Sequence, residues 1–308
     1  MQHVARHIET RKGMEGLVEQ LHHLLSGSEL NTLLLELFRR RAGDRNAPQV
    51  LQQFASNRFC APSPIEQLHY LQHDTGLVAK ATAHGFRSLQ LSPLAPLGTC
   101  SAVGLVDQNN VVSALRGTEV VADATNVLAL QVALDTQKSR SKEPVKYCTV
   151  HRHVRSQALT EPWHTPHFSI FCAVTGGFDR GAYAFECAAL RDHIDLYLSL
   201  LLDSFDAPNL VLRFYLKGQV PQFRGHLEEQ LTGLPDGMAL HLEEQPEPNA
   251  YYHTVQFKFF IRHQGAEINL IDGGFVPWTQ DLLQNRKHRL LISGAGTDLM
   301  LKLKLGLI

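Results

Sequence analysis

Residues 255–261 alternate: Val255, Phe257, Phe259 and Ile261 fall on one register, with Gln256, Lys258 and Phe260 on the other. A period of two puts these sets on opposite faces of a β-strand, so the segment reads as a strand with one face in a core. Gln264-Gly265 is a turn dipeptide, and 267–271 reads as the returning strand of a hairpin. A second hairpin is expected from 145–154 and 168–175, and single strands from 210–216 and 239–242. Shorter strands are expected at 86–91 and 111–121, the latter following a turn at 107–110. Helical patterns fall between them at 127–134, 182–202 and 223–231. Long hairpins with helices at intervals point to an α+β fold, a mainly antiparallel sheet flanked by helices, and away from a βαβ fold.

The period is different before residue 84. Leu17, Val18, Leu21, Leu24 and Leu25 follow helical spacing, as do Leu30, Leu33, Leu34, Leu37 and Phe38. Ser28 is placed to cap the second of these helices, and Arg39-Arg40-Arg41 suits its C-terminus ahead of Gly43. Pro62-Ser63-Pro64 breaks the chain before another helical stretch at 65–83. The expected division is an N-terminal helical region, 1–83, and a core domain, 84–308.

The chain has 308 residues, 44% of them hydrophobic, enough for a sizeable core. A net charge of -1 supplies no global field to attract nucleic acid or an anionic membrane, and the arginine triplet reads as a solvated helix end. The polar start resembles no signal peptide, and no apolar run approaches bilayer length, so a cytoplasmic location and no membrane partner are expected. The five cysteines contain no CxxC pair and read as reduced, buried thiols. Cys148 and Cys172 fall on the two arms of one hairpin.

The chemistry-bearing residues concentrate in 145–177. Arg152 and Arg155 can each hold an oxyanion in a guanidinium fork, while His164 and Phe168, four residues apart, can cover a ligand ring. A separation of three positions sends the two arginines to opposite strand faces, so one of them is structural. Arg155 and Gln157 share a face and suit a carboxylate or an amide. His151, His153, His164 and His167 raise a metal site, but Glu161 is the one acid among them and no metal is assigned. Asp123 stands at a helix entrance, where it can accept an ammonium group or cap the helix with Thr125. Tyr251 and Tyr252 are adjacent on an expected strand, so one of the two would line a pocket. Gly273, Gly274, Gly294 and Gly296 permit close backbone approach to a ligand, and tight turns require glycine equally.

In this order these segments resemble the class II aminoacyl-tRNA synthetases, and within them the histidyl branch, over roughly residues 84–305. His151-Arg152-His153-Val154-Arg155-Ser156-Gln157 is similar to the family's motif 2, and Arg152, in the motif 2 arginine position, is on that resemblance the expected phosphate ligand of the two arginines. Tyr251 to Phe257 resembles the paired-tyrosine strand of the amino-acid pocket, and Asp272-Gly273-Gly274-Phe275 its double-glycine turn. Gly294-Ala295-Gly296 is similar to the start of motif 3, and Phe86 to Pro93 to motif 1. Val121-Ala122-Asp123-Ala124-Thr125 resembles the acid-x-Thr segment that meets the substrate amino group, in a form similar to the regulatory subunit of ATP phosphoribosyltransferase. The resemblance implies a homodimer formed through motif 1 and a small-molecule ligand, an amino acid or a nucleotide. ATP with Mg2+ is the cofactor it implies, and a partner enzyme is implied by the regulatory subunit.

The departures fall on charges that adenylation uses. Val154 stands at the motif 2 glutamate, Glu247 at an expected arginine, Met300 and Leu301 at the motif 3 acid and arginine, and Phe275-Val276-Pro277 at an Arg-Tyr-Asp turn. Losing one buried charged contact costs about 2–5 kcal/mol when its partner stays behind. Arg116, Lys302 and Arg289 are candidate replacements that spacing alone does not place. The chain ends at Ile308, directly after motif 3, so tRNA binding and aminoacylation are not expected. The leading expectation is a paralogue of the histidyl-tRNA synthetase core that binds a ligand and serves as a regulatory or accessory subunit, with no catalytic residue assigned. The alternatives are an ATP-dependent ligase that passes an aminoacyl adenylate to a non-tRNA acceptor, and a structural dimeric accessory protein.

Overall fold

The computed structural model describes residues 2–139, 141–158, 165–217, 221–244 and 251–308. Its strands in chain order are β1 (Arg87–Ser88), β2 (Leu94–Pro96), β3 (Ser113–Ala114), β4 (Thr118–Val120), β5 (Val145–Val154), β6 (His167–Phe178), β7 (Leu210–Leu216), β8 (Ala239–Glu244), β9 (His253–His263), β10 (Ala266–Val276) and β11 (His288–Gly296). Five helices precede them: α1 (Gln2–Lys12), α2 (Leu17–Leu24), α3 (Gly27–Gly43), α4 (Ala47–Ser56) and α5 (Gln67–Ala83). Within the sheet region lie α6 (Ala124–Lys138), α7 (Ala184–Leu201), α8 (Pro221–Gln230), α9 (Trp278–Leu283) and α10 (Thr297–Lys304).

Eight strands form one sheet in the order β1-β5-β6-β11-β10-β9-β7-β8, and β2-β4-β3 form a small second sheet. The expected hairpins β5–β6 and β9–β10 are present, with His263 facing Ala266 across the Gln264-Gly265 turn. The large sheet is mixed, which corrects the expectation of a mainly antiparallel one. β1–β5 and β7–β8, at the two edges, are parallel, whereas the pairings between them are antiparallel. Parallel neighbours need a crossover, and α8 supplies one between β7 and β8.

Strand parity divides the core into two clusters. Cys148, Phe171, Ala173, Leu212, Phe257, Phe259 and Leu291 pack against α5, α7 and α8. Tyr147, Cys172, Val174, Leu290 and Ile292 face the other way and pack against Leu128 and Val132 of α6. Cys148 and Cys172 therefore lie on opposite faces of one hairpin. All five cysteines are free, and Cys60 is exposed, contrary to the expectation that all are buried.

No described residue between 3 and 64 is buried, whereas Tyr70, Leu77 and Ala81 of α5 are. α3 is capped by Ser26, not Ser28: the Ser26 hydroxyl accepts from the Glu29 amide at 3.3 Å, and the Glu29 carboxylate accepts from the Ser26 amide at 2.8 Å. The expected turn at 107–110 is a 3-10 turn, and 111–121 divides into β3 and β4 about Arg116 and Gly117, both at φ 66°. No helix among the described residues is long and apolar enough to cross a membrane.

Candidate functional site

Asp123 ends an extended segment as the N-cap of α6, and its Oδ1 accepts from the Thr125 amide at 2.9 Å and the Thr125 hydroxyl at 2.7 Å. Its Oδ2 accepts from the Tyr251 hydroxyl at 3.3 Å. Arg155, one residue beyond β5, donates from Nε to the Ala122 carbonyl at 2.9 Å, and its guanidinium lies 5.3 Å over the Phe168 ring. These groups stand on the wall of a cavity of about 740 Å3. Phe168, Ile170 and Cys172 of β6, with Ile292, Gly294 and Gly296 of β11, line it on the α6 side of the sheet. Gln256 and Lys258 of β9, Asn269 and Asp272 of β10, and Asp298 and Lys302 of α10 complete the polar lining.

The three acids are all engaged within the protein. Asp272 accepts from the Gln256 amide at 2.9 and 3.1 Å, and the Lys258 ammonium lies 3.7 Å away. Burial raises the Asp272 carboxyl above the usual carboxylate range, opposed by Gln256 and Lys258. Asp298 accepts from the Ser169 amide at 2.8 Å and the Tyr70 hydroxyl at 2.9 Å, tying α10 to β6 and α5. Burial lowers the Lys302 ammonium, and Asp298 works against that shift. Burial, reinforced by Asp123, raises the Tyr251 phenol.

Of the residues singled out from sequence, Asp123, Thr125, Arg155, Gln157, Phe168, Tyr251, Tyr252, Gly294 and Gly296 line this cavity. Arg152 does not: it lies on the α5 face, donates to His167 Nδ1 at 2.9 Å, and stacks 5.4 Å over the Tyr70 ring. The opposed faces follow from the three-residue spacing, and the cavity receives Arg155. His164 and Glu247 lie outside the described residues.

Both tyrosines of the pair reach the cavity, their rings perpendicular and 4.8 Å apart. The expectation that one would turn away fails because β9 begins only at His253, so strand alternation does not govern 251–252. Gly273 and Gly274 lie within β10 and not in a turn, and they support the cavity from behind. A Cβ on Gly274 would come within 2.6 Å of the Tyr252 ring, and one on Gly273 within 2.6 Å of the Phe257 ring. Met300 and Leu301 are buried in apolar clusters, and the next residue, Lys302, lines the cavity. Arg289 is bound elsewhere, to Glu186 and Asp179, and Arg116 sits in the β3–β4 turn.

The three described histidines of this group do not form one ligand set. His151 and His153 share a face with rings 5.6 Å apart, while His167 bonds Arg152 on the other face. Asp123, His153 and Cys172 place potential ligand atoms within 4.8 Å of one another. The Ala124 amide already donates to His153 Nε2 at 2.8 Å, and burial lowers the His153 imidazole and raises the Cys172 thiol. A metal would therefore compete for a committed lone pair and need a disfavoured thiolate.

Asn269 and Asp298 carry no signal in the motifs. Gln256 and Lys258 read as a solvent face of their strand, and only the position of α10 shows that this face lines a cavity. The fold of the sheet and its flanking helices is that of a class II aminoacyl-tRNA synthetase-like core, as its likeness to solved structures shows. The structure is similar to that of apo histidyl-tRNA synthetase from S. aureus, with a TM-score of 0.58 at 12% identity over 81% of this chain and 70% of that one. It is also similar to an ATP phosphoribosyltransferase regulatory subunit/histidyl-tRNA synthetase from Bacillus halodurans C, with a TM-score of 0.58 at 11% identity over 79% of this chain and 82% of that one. No family model and no curated protein matches the sequence.

Proposed function

We propose that the chain is a divergent paralogue of the histidyl-tRNA synthetase core that binds a free amino acid and acts as a regulatory or accessory subunit, without aminoacylating tRNA. The observation that carries this reading is the Asp123 carboxylate, fixed by Thr125 and reached by the Tyr251 hydroxyl on the wall of the cavity. An ammonium group at Oδ2 would gain a charge-assisted hydrogen bond beside an aromatic wall. The likeness to the Bacillus halodurans C regulatory subunit/synthetase supports a role beside a partner enzyme. A homodimer and a cytoplasmic setting belong to the same proposal.

The residues present do not fit ATP with Mg2+ well. A purine stacking on Phe168 would have to displace the Arg155 guanidinium, and Leu301 is core where the family has a cation. Asp298 is tied to the Ser169 amide and the Tyr70 hydroxyl, one bond on each oxygen, which is a structural use of this acid. The cations Arg155, Lys258 and Lys302 in the cavity favour one second reading, an ATP-dependent ligase acting on a non-tRNA acceptor.

Thermal melting of the full chain against each of the twenty amino acids and ATP tests the reading. A ligand at one hundred times its dissociation constant adds about 2.7 kcal/mol. One amino acid is expected to raise Tm by several degrees in the wild type and to lose that effect in Asp123→Asn. No shift with any amino acid would leave the structural accessory reading in its place.

A further inference from the structure

The cavity offers a bound ligand several weakly committed donors. Asp298 has both oxygens occupied, and Asp272 is held by Gln256. Asp123 keeps one oxygen with a single long contact, 3.3 Å to Tyr251. The donors are less committed. Arg155 uses Nε alone, so its two terminal nitrogens make no hydrogen bond among the described residues. Lys258 approaches Asp272 no closer than 3.7 Å. Asn269 lines the same wall, and its Nδ2 is buried beneath it without any partner. A buried donor without an acceptor is destabilising by itself, and rotation of the Asn269 amide towards a bound oxyanion would satisfy it.

We propose that the ligand is an amino acid carrying a second oxyanion, a dicarboxylic amino acid. Its ammonium sits at Asp123 Oδ2, and its two anionic groups divide between Arg155 and the Lys258–Asn269 wall. The inference rests on the amino-acid reading above and adds the substrate class to it. Asn269 and Lys258 act as specificity-determining residues, since a neutral side-chain amide in place of the second carboxylate meets donors it satisfies less strongly.

Titration calorimetry on the full chain tests this with L-glutamate, L-aspartate, L-glutamine, L-asparagine, L-histidine, O-phospho-L-serine and inorganic phosphate. Glutamate or aspartate is expected to bind at least about tenfold more tightly than its amide, a gap typical of one charge-assisted contact. Lys258→Met is expected to weaken the acidic ligand about tenfold or more and to leave the amide within about twofold; Asn269→Leu should act in the same direction with smaller effect. Tighter binding of phosphoserine than of glutamate, without binding of inorganic phosphate, would keep the second-oxyanion subsite and assign it to a phosphoryl group. Inorganic phosphate binding as well as the amino acids would overturn the proposal, as would equal affinity for glutamine and glutamate, or an acidic preference untouched in both variants. Tight binding of histidine alone would overturn the acidic class but spare the amino-acid reading. No binding by any amino acid would overturn both.

Discussion

Leu190 on α7 and Leu33 on α3 are the same side chain on the same kind of helix, yet the first is fully buried and the second is 52% exposed. The sheet domain gains its stability from long-range packing, and full burial of a leucine contributes about 1.5–3 kcal/mol. The N-terminal helices rely on local devices. The Ser26–Glu29 and Asn46–Gln49 capping boxes and the Glu36 pairs with Arg39 and Arg40 hold α3 and α4 without one buried side chain. Helical periodicity shows that a face is apolar; it does not show that the chain itself covers that face.

Substitutions can break this contrast. Leu190→Ala is expected to destabilise the fold by about 2–5 kcal/mol in urea unfolding, because it leaves a cavity in the larger cluster. A loss below 1 kcal/mol there would mean that the sheet domain is not the stability-determining unit. Asp298→Ala removes a shared acceptor, strands the Ser169 amide and leaves the Tyr70 hydroxyl with Ser63 alone, with an expected loss of about 1–3 kcal/mol. Ser26→Ala should cost about 1 kcal/mol, confined to α3, and raise hydrogen exchange there without moving the main transition. Leu33→Ala, at the small end, is expected to stay within about 0.5 kcal/mol.

Acid should weaken the sheet domain as well. Burial lowers His193 to about 3 and His288 to about 4, while the unfolded imidazoles titrate near their usual value, about 6.5. The unfolded state then binds more protons, so these contributions are complete above about pH 6.5 and are lost as pH falls towards 3–4. Asp74, raised to about 6 chiefly by burial, opposes this: its contribution is present at low pH and is lost as pH rises through about 6. His73 and His153 are lowered by burial in the same way and Asp272 is raised alongside Asp74, so the lowered imidazoles outnumber the raised carboxyls and Tm should fall between pH 7 and pH 5. A rising Tm over that range would contradict these assignments.

Strand parity made much of the sheet legible. Val255, Phe257, Phe259 and Ile261 all face one cluster, and the Gln264-Gly265 hairpin closes as a turn dipeptide should. Pairing between distant strands leaves no local signal, so the parallel edges were not readable. The register shift between Asn269 and Ile271 lets Asn269 and Asp272, three positions apart, line one cavity where simple alternation would separate them. Tyr252 reaches the cavity because its segment precedes the strand that sequence had extended over it. Lys302 follows Leu301 by one position, and the helix turn that aims it at the cavity depends on where α10 docks.

The most direct measurement is amino-acid-dependent exchange of pyrophosphate into ATP, run with the full chain and Mg2+ on the amino acid that raises Tm. The account predicts binding of that amino acid with exchange at the no-enzyme background. Robust exchange would show that Arg155, Lys258 and Lys302 still activate a carboxylate, and would contradict it.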